Sequence, residues 1–198
     1  MTEAILTEDR ILTAAEEVLR RHGVDKTNVV DIARVLGISH ANIYRHFPSK
    51  KALLDAVAAR WLEVVAIPLE AIVDDQSRPA AERFMAWFEA LRSAKQKKVL
   101  KDPELFRVYH RLAVAAGELA AAHVDTLRSQ LGRIIADGIA AGEFSDRSDA
   151  KLAARACLQA MSSFTHPAML LQGKPPTADE ARVVLGLLLA GLRAGKVD

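Results

Sequence analysis

A chain of 198 residues can hold one domain or two small ones, and either can bury a real core. Half of it is apolar (51%) and only 5% is aromatic. Ala and Leu dominate the apolar share, which favours helices because neither loses much on entering one. A formal net charge of +2 excludes a chain that is basic throughout, so any nucleic-acid footprint must be local. Cys157 is the single cysteine, which excludes an internal disulfide and a thiolate metal cluster. Acids at Glu3, Glu8 and Asp9 and the lack of an early apolar region argue against a signal peptide. No apolar run reaches the ~18–20 residues of a membrane span. The expectation is a soluble, cytoplasmic protein with no membrane partner.

Helical periodicity runs along almost the whole chain and strand alternation is nearly absent. The first helix places Ile11, Ala14, Ala15, Val18 and Leu19 on one face, with Thr7 as its cap and Gly23 positioned to end it. A short second helix carries Val29, Ile32, Ala33 and Leu36, capped by Asn28 and closed by Gly37. A third begins after Ser39 and shows Ile43 and Phe47 on one side. Pro48 breaks it, Ser49 recaps the chain, and a long helix is predicted from Lys50 to Val73. Pro79 opens a segment predicted to end near Ser93, and Asp102-Pro103 opens another through Ala116. Helices follow over 118–141 and 148–165, where Pro167 must kink or end the run. A Gly-Lys-Pro-Pro turn at 173–176 precedes a last helix with the capping box Thr177-x-x-Glu180. The prediction is an all-α protein of about nine helices.

Residues 28–47 carry the most specific pattern. Small Ala33 lets two short helices approach, Gly37 can take the positive φ of a sharp reversal, and Ile43 and Phe47 pin the second helix to the first. That leaves Ala41, Asn42 and Arg45 outward, flanked by His40 and Tyr44. Such a face suits a major groove, where Arg reads guanine and Asn reads adenine. From Gly37 through Lys51 there are three full positive charges (Arg45, Lys50, Lys51), two histidines and no acid.

The flanking residues extend the pattern: AA at 14–15, HG at 22–23, T-x-x-x-DIA at 27–33, G-I-S at 37–39, IYRHFPSK at 43–50 and ALL at 52–54. Residues 10–57 closely resemble the DNA-binding domain of the TetR family of bacterial repressors. The resemblance covers about a quarter of the chain; the rest is similar only in helical architecture. It implies base-edge contacts from His40, Ala41, Asn42 and Arg45. It implies phosphate contacts from Tyr44, His46 and Lys50, with Thr27 or Asn28 adding a backbone clamp. His40 stands where a longer polar residue is common, and Val30 is apolar where some members read a base, so the operator sequence does not transfer. The resemblance further implies a helix-turn-helix domain over 1–50 and a helical effector-binding and dimerisation domain over 51–198.

For homodimerisation the candidate segments are 150–164 and 178–194. The last helix offers Ala181, Val184, Leu185, Leu188, Leu189 and Leu192. The preceding one offers Leu152, Ala153, Ala156, Ala160 and Ser163. For a small apolar or aromatic effector, the candidates are Trp61, Phe84, Trp87, Phe88, Phe106, Tyr109 and His110, with Cys157, Met161 and Phe164 as an opposite wall. Ordinary core packing explains the same residues. The stretch from Arg92 to Lys101 holds five basic residues and no acid. In a TetR-like arrangement it is the connection after the fifth helix, and it would add non-specific phosphate attraction. Charge reversal at Lys95, Lys97 and Lys98 would then flatten the salt dependence of DNA binding.

The resulting expectation is a ligand-responsive repressor that binds a palindromic double-stranded operator as a homodimer and is released by its effector. An activator, an effector-independent regulator and a helical ligand-binding module without DNA binding are the alternatives. No cofactor and no metal are implied. An enzyme is disfavoured, because G-x-S-x-G, P-loop, H-E-x-x-H and G-x-G-x-x-G are all absent. The six histidines (His22, His40, His46, His110, His123, His166) lack metal-ligand spacing.

Overall fold

The computed structural model describes residues 6–147, 149–172 and 176–195. Among them all regular structure is helical: α1 (Glu8–Lys26), α2 (Val29–Leu36), α3 (His40–Tyr44), α4 (Lys50–Asp74), α5 (Ala80–Lys101), α6 (Pro103–Ala115), α7 (Gly117–Ala140), α8 (Ala150–Ala160), α9 (Ser162–Thr165), α10 (Pro167–Leu170) and α11 (Ala178–Ala194). No helix of the described residues is long and apolar enough to cross a membrane. Ser148 and residues 173–175 of the expected turn lie outside the described residues.

The all-α expectation holds, with eleven helices among the described residues in place of about nine. The excess comes from the predicted helix over 148–165. It ends as α8 at Ala160, tightens through Met161 (ψ 7°) and resumes as the single turn α9. Pro167 forces His166 into an extended conformation (ψ 127°) and starts α10 at its first position, where a missing N–H costs nothing. The predicted end of α5 near Ser93 is also corrected. Residues 94–101 are mostly Ala, Lys, Gln and Leu, all good helix formers, so the helix continues until Asp102 and Pro103 stop it. Gly23 takes a positive φ of 72° as a kink inside α1, and one further turn reaches Lys26.

The chain divides into two compact units, Met1–Leu62 with Asp102–Ala120, and Glu63–Lys101 with Ala121–Asp198. In the first, α1 packs on α2 and α6, and α2 packs on α3. Ile11, Ala15 and Leu19 of α1, Ile32 and Ala33 of α2 and Ile43 of α3 are all buried. Trp61 stacks on Tyr109 with centroids 5.2 Å apart and meets Phe106 edge-on at 5.7 Å. Arg60 ties α4 to α1 through Asp9 and Glu16, both at 2.8 Å.

The second unit is built around Phe84, Trp87, Phe88 and Leu91 of α5, all fully buried, with Leu131, Ile134 and Ile135 of α7 and Met161. Several of its buried polar groups are paired across helices. The Trp87 indole donates to the Gln130 carbonyl (3.1 Å), and the Gln130 amide donates to Ala66 O (3.1 Å) and Glu70 (2.7 Å). Arg83 donates to Val73 O (2.8 Å) and Asp137 (2.9 Å). These bonds fix the rotation of α5 and α7 against the end of α4. Gly138 is present because Phe144 lies on its bare Cα. A Cβ there would overlap the Phe144 ring and sit 3.0 Å from the Ala80 Cβ. Gly138→Ala is therefore expected to lower unfolding free energy by about 1–3 kcal/mol despite the better helix former. A urea titration checks this, and an unchanged midpoint would show that the ring moves freely.

His123 on α7 is pushed down to about 4, first by burial and then by the nearby Lys95 charge. A folded value below the ordinary 6.5 means that acid protonates the unfolded chain first. The contribution is present above pH 6.5 and is lost as pH falls towards 4, by at most about 3 kcal/mol. His123→Gln should flatten the pH dependence of the urea midpoint in that window.

Candidate nucleic-acid interface

The geometry of the α2–α3 turn follows from two caps. Asn28 accepts a hydrogen bond from Val30 N (3.0 Å) and opens α2. At its other end Gly37 sits at φ 67°, ψ 29°. The Gly37 N–H donates to Arg34 O (3.2 Å) and the Ile38 N–H to Ala33 O (3.1 Å), a Schellman closure that fixes the exit direction of the chain. Ile43 and Phe47 then anchor the next segment in the core. Regular α3 ends at Tyr44, and Phe47 N still donates to Ile43 O (2.9 Å), so the helical course extends past the last regular turn.

Anchoring one side of α3 leaves the other in solvent. His40, Ala41, Tyr44 and Arg45 are exposed, and Asn42, His46 and Lys50 are half-buried. The His40 and Tyr44 rings meet edge to face at 6.2 Å, which holds the tyrosine upright while 44% of it stays exposed. Arg45 and Lys50 make no ion pair among the described residues, whereas Lys51 is held by Asp55 (2.5 Å) and Arg34 by Asp31 (2.8 Å). Thr27 is buried and its hydroxyl donates to Gly23 O (2.6 Å); Asn28 beside it is exposed. The result is an exposed face with free donors at Arg45 and Lys50, little bulk at Ala41, and no acid between Gly37 and Lys51.

The ten effector candidates fall into two groups. Trp61, Phe106, Tyr109 and half-buried His110 belong to the first unit, where burial and the neighbouring Glu16 hold the Tyr109 hydroxyl far above its ordinary range. Phe84, Trp87, Phe88, Cys157, Met161 and Phe164 belong to the core of the second. Cys157 is 4% exposed, and burial pushes its thiol up to about 11.

On α11, Ala181, Leu185 and Leu192 face the core of their own unit, while Val183 and Leu187 on the opposite side are 64% and 68% exposed. On α8, Leu152, Ala156 and Ala160 are exposed, as is Ser163 on α9, in line with the expected outward stripe. The stretch 92–101 is helix and not a connection. Arg92 is buried and held by Glu89 and Gln96, and Lys95 is only 6% exposed, so neither offers its charge to a phosphate. Lys95 is the residue that sequence reasoning misplaced. Phe84, Trp87, Phe88, Leu91 and Lys95 lie at i, i+3, i+4, i+7 and i+11, a signal hidden by ending the helix at Ser93, two residues before Lys95.

An all-helical chain with a capped helix-turn-helix near its start has the architecture of a bacterial regulator. The chain belongs to the TetR family: residues 11–57 match the model of "Bacterial regulatory proteins, tetR family" and residues 80–184 that of "Tetracyclin repressor-like, C-terminal domain". It is similar to the HTH-type transcriptional regulator RutR of Escherichia coli, 37% identical over 71 residues, which are 36% of this chain and 34% of RutR. The match thus spans about a third of that relative's length. Among solved structures it resembles SmeT, the repressor of the Stenotrophomonas maltophilia multidrug efflux pump SmeDEF (TM-score 0.69, 23% identity, 93% of this chain and 89% of SmeT). It also resembles the Bacillus subtilis regulator FadR in complex with stearoyl-CoA (TM-score 0.68, 21% identity, 93% and 99%). Both likenesses are of fold.

Proposed function

We propose that the protein is a cytoplasmic, ligand-responsive repressor that binds a palindromic operator as a homodimer. The observation that carries this reading is the free, acid-less outer face of α3, set at a fixed angle by Gly37. Residues 1–50 form the DNA-binding part and 51–198 the effector and dimerisation part. His40, Ala41, Asn42 and Arg45 read base edges; Tyr44, His46 and Lys50 hold phosphates, and of Thr27 and Asn28 the exposed Asn28 supplies the clamp at the α2 start, since Thr27 is buried. Two such faces enter successive major grooves about 34–36 Å apart. The dimer forms through α8 and α11, where Leu152, Ala153, Ala156, Leu187 and Leu188 line one groove with an exposed apolar rim. A small molecule held in the second unit favours a conformer with the wrong half-site spacing, by its differential affinity for the two conformers. Selection of bound sequences from random duplex DNA tests the reading. A paired half-site should be enriched, and failure to enrich any at moderate salt would overturn it.

A further inference from the structure

A cleft of about 420 Å³ in the second unit has Lys95 of α5 in its wall, with α7 and the α8–α10 segment as its other sides. Lys95 is 6% exposed and has no hydrogen bond or ion pair among the described residues. Of the other cations lining the cleft, Arg128 is held by Asp125 (2.9 Å), while Arg155 has no ion pair among the described residues. No acid lines it, and its apolar wall includes Leu127, Leu158 and Met169. Burial without a counterion pushes the Lys95 ammonium down to about 8, so it remains mostly charged at neutral pH. An uncompensated ammonium weakens the fold, and Met or Leu would pack there at less cost. A residue that opposes folding and borders a cavity of ligand size marks a binding site.

We propose that this cleft binds an amphipathic carboxylate, with Lys95 as the buried counterion, Arg155 as a second cation and the apolar body against Leu127, Leu158 and Met169. This rests on the reading of the chain as ligand-responsive and names the chemical class of the ligand. One buried cation matches a singly charged head better than a phosphate dianion, whose desolvation it could not offset. The carboxylate supplies the missing partner as a charge-assisted hydrogen bond.

Calorimetric titration of the full chain with decanoate and 2-naphthoate, beside 1-decanol and 2-naphthol, tests it. The carboxylates should bind about tenfold or more tighter than the alcohols. Lys95→Met should lose that preference while raising the ligand-free Tm by about 4 °C or more, a pairing that loss of structure does not produce. Arg155→Gln, at the surface, is the second variant and should weaken carboxylate binding severalfold. Equal binding of acids and alcohols, undiminished binding by Lys95→Met, or no carboxylate binding below millimolar would overturn the proposal. Release from the enriched DNA site, measured with the same compounds, separates the two readings. Carboxylates that bind through Lys95 without releasing DNA leave the cleft standing and remove the effector role. An alcohol that releases DNA independently of Lys95 does the reverse.

Discussion

Leu187→Asp is expected to leave the chain folded, make it monomeric and weaken operator binding by about 10²–10⁴-fold. Leu187 is 68% exposed on α11, so its replacement removes nothing from the core of the second unit. In the proposed interface, however, it would bury a carboxylate among apolar side chains. The loss on DNA follows from valency. Two half-sites held by one particle bind with an effective concentration in the millimolar range, and separate subunits forfeit that gain without any change in α3. Light scattering and an operator titration on the same sample check both parts. A folded variant that stays dimeric would remove α11 from the interface.

Arg45→Ala acts at the other end of the mechanism. A side chain reading one base per half-site contributes about 1–3 kcal/mol of discrimination, so a dimer should lose about 2–6 kcal/mol on its own operator. Because Arg45 has no ion pair among the described residues, the thermal midpoint should not move. Binding to unrelated duplex should fall only slightly. Lys50→Ala gives the contrasting pattern: weaker binding to all sequences and a salt slope shallower by about 1 for each phosphate that is no longer neutralised. If Arg45→Ala weakens all sequences alike, the arginine holds the backbone and the base reading passes to Asn42 and His40.

The start of the chain was legible because its signals are local. Asn28, Gly37, Ile43 and Phe47 act within a few residues of themselves, and each does in the structure what its chemistry requires. Direction across a broad apolar helix was not legible. On α11 both Leu185 and Leu187 are good core residues, and only the packing of α5 and α8 decides which is covered. The reach of α5 was misjudged for a related reason. A lysine-rich tail looks solvated until one of its lysines proves to continue the stripe of Phe84, Trp87, Phe88 and Leu91. Aromatic side chains grouped along the chain at helical spacing look alike in sequence, although Trp61 and Tyr109 belong to one unit and Trp87 and Phe88 to the other.

Cys157 gives the second unit a native clock. Burial pushes its thiol up to about 11 and leaves the residue 4% exposed, so little reactive thiolate is present at pH 8, and that sulfur is covered. Cys157 also borders the α8–α11 groove, so the alkylation rate follows the fraction of molecules in which the groove, or the core around Phe164 and Met161, uncovers the sulfur. With one cysteine in the chain, the signal needs no engineered label and no correction for competing thiols. Any compound that holds the unit closed should slow this clock in proportion to its occupancy.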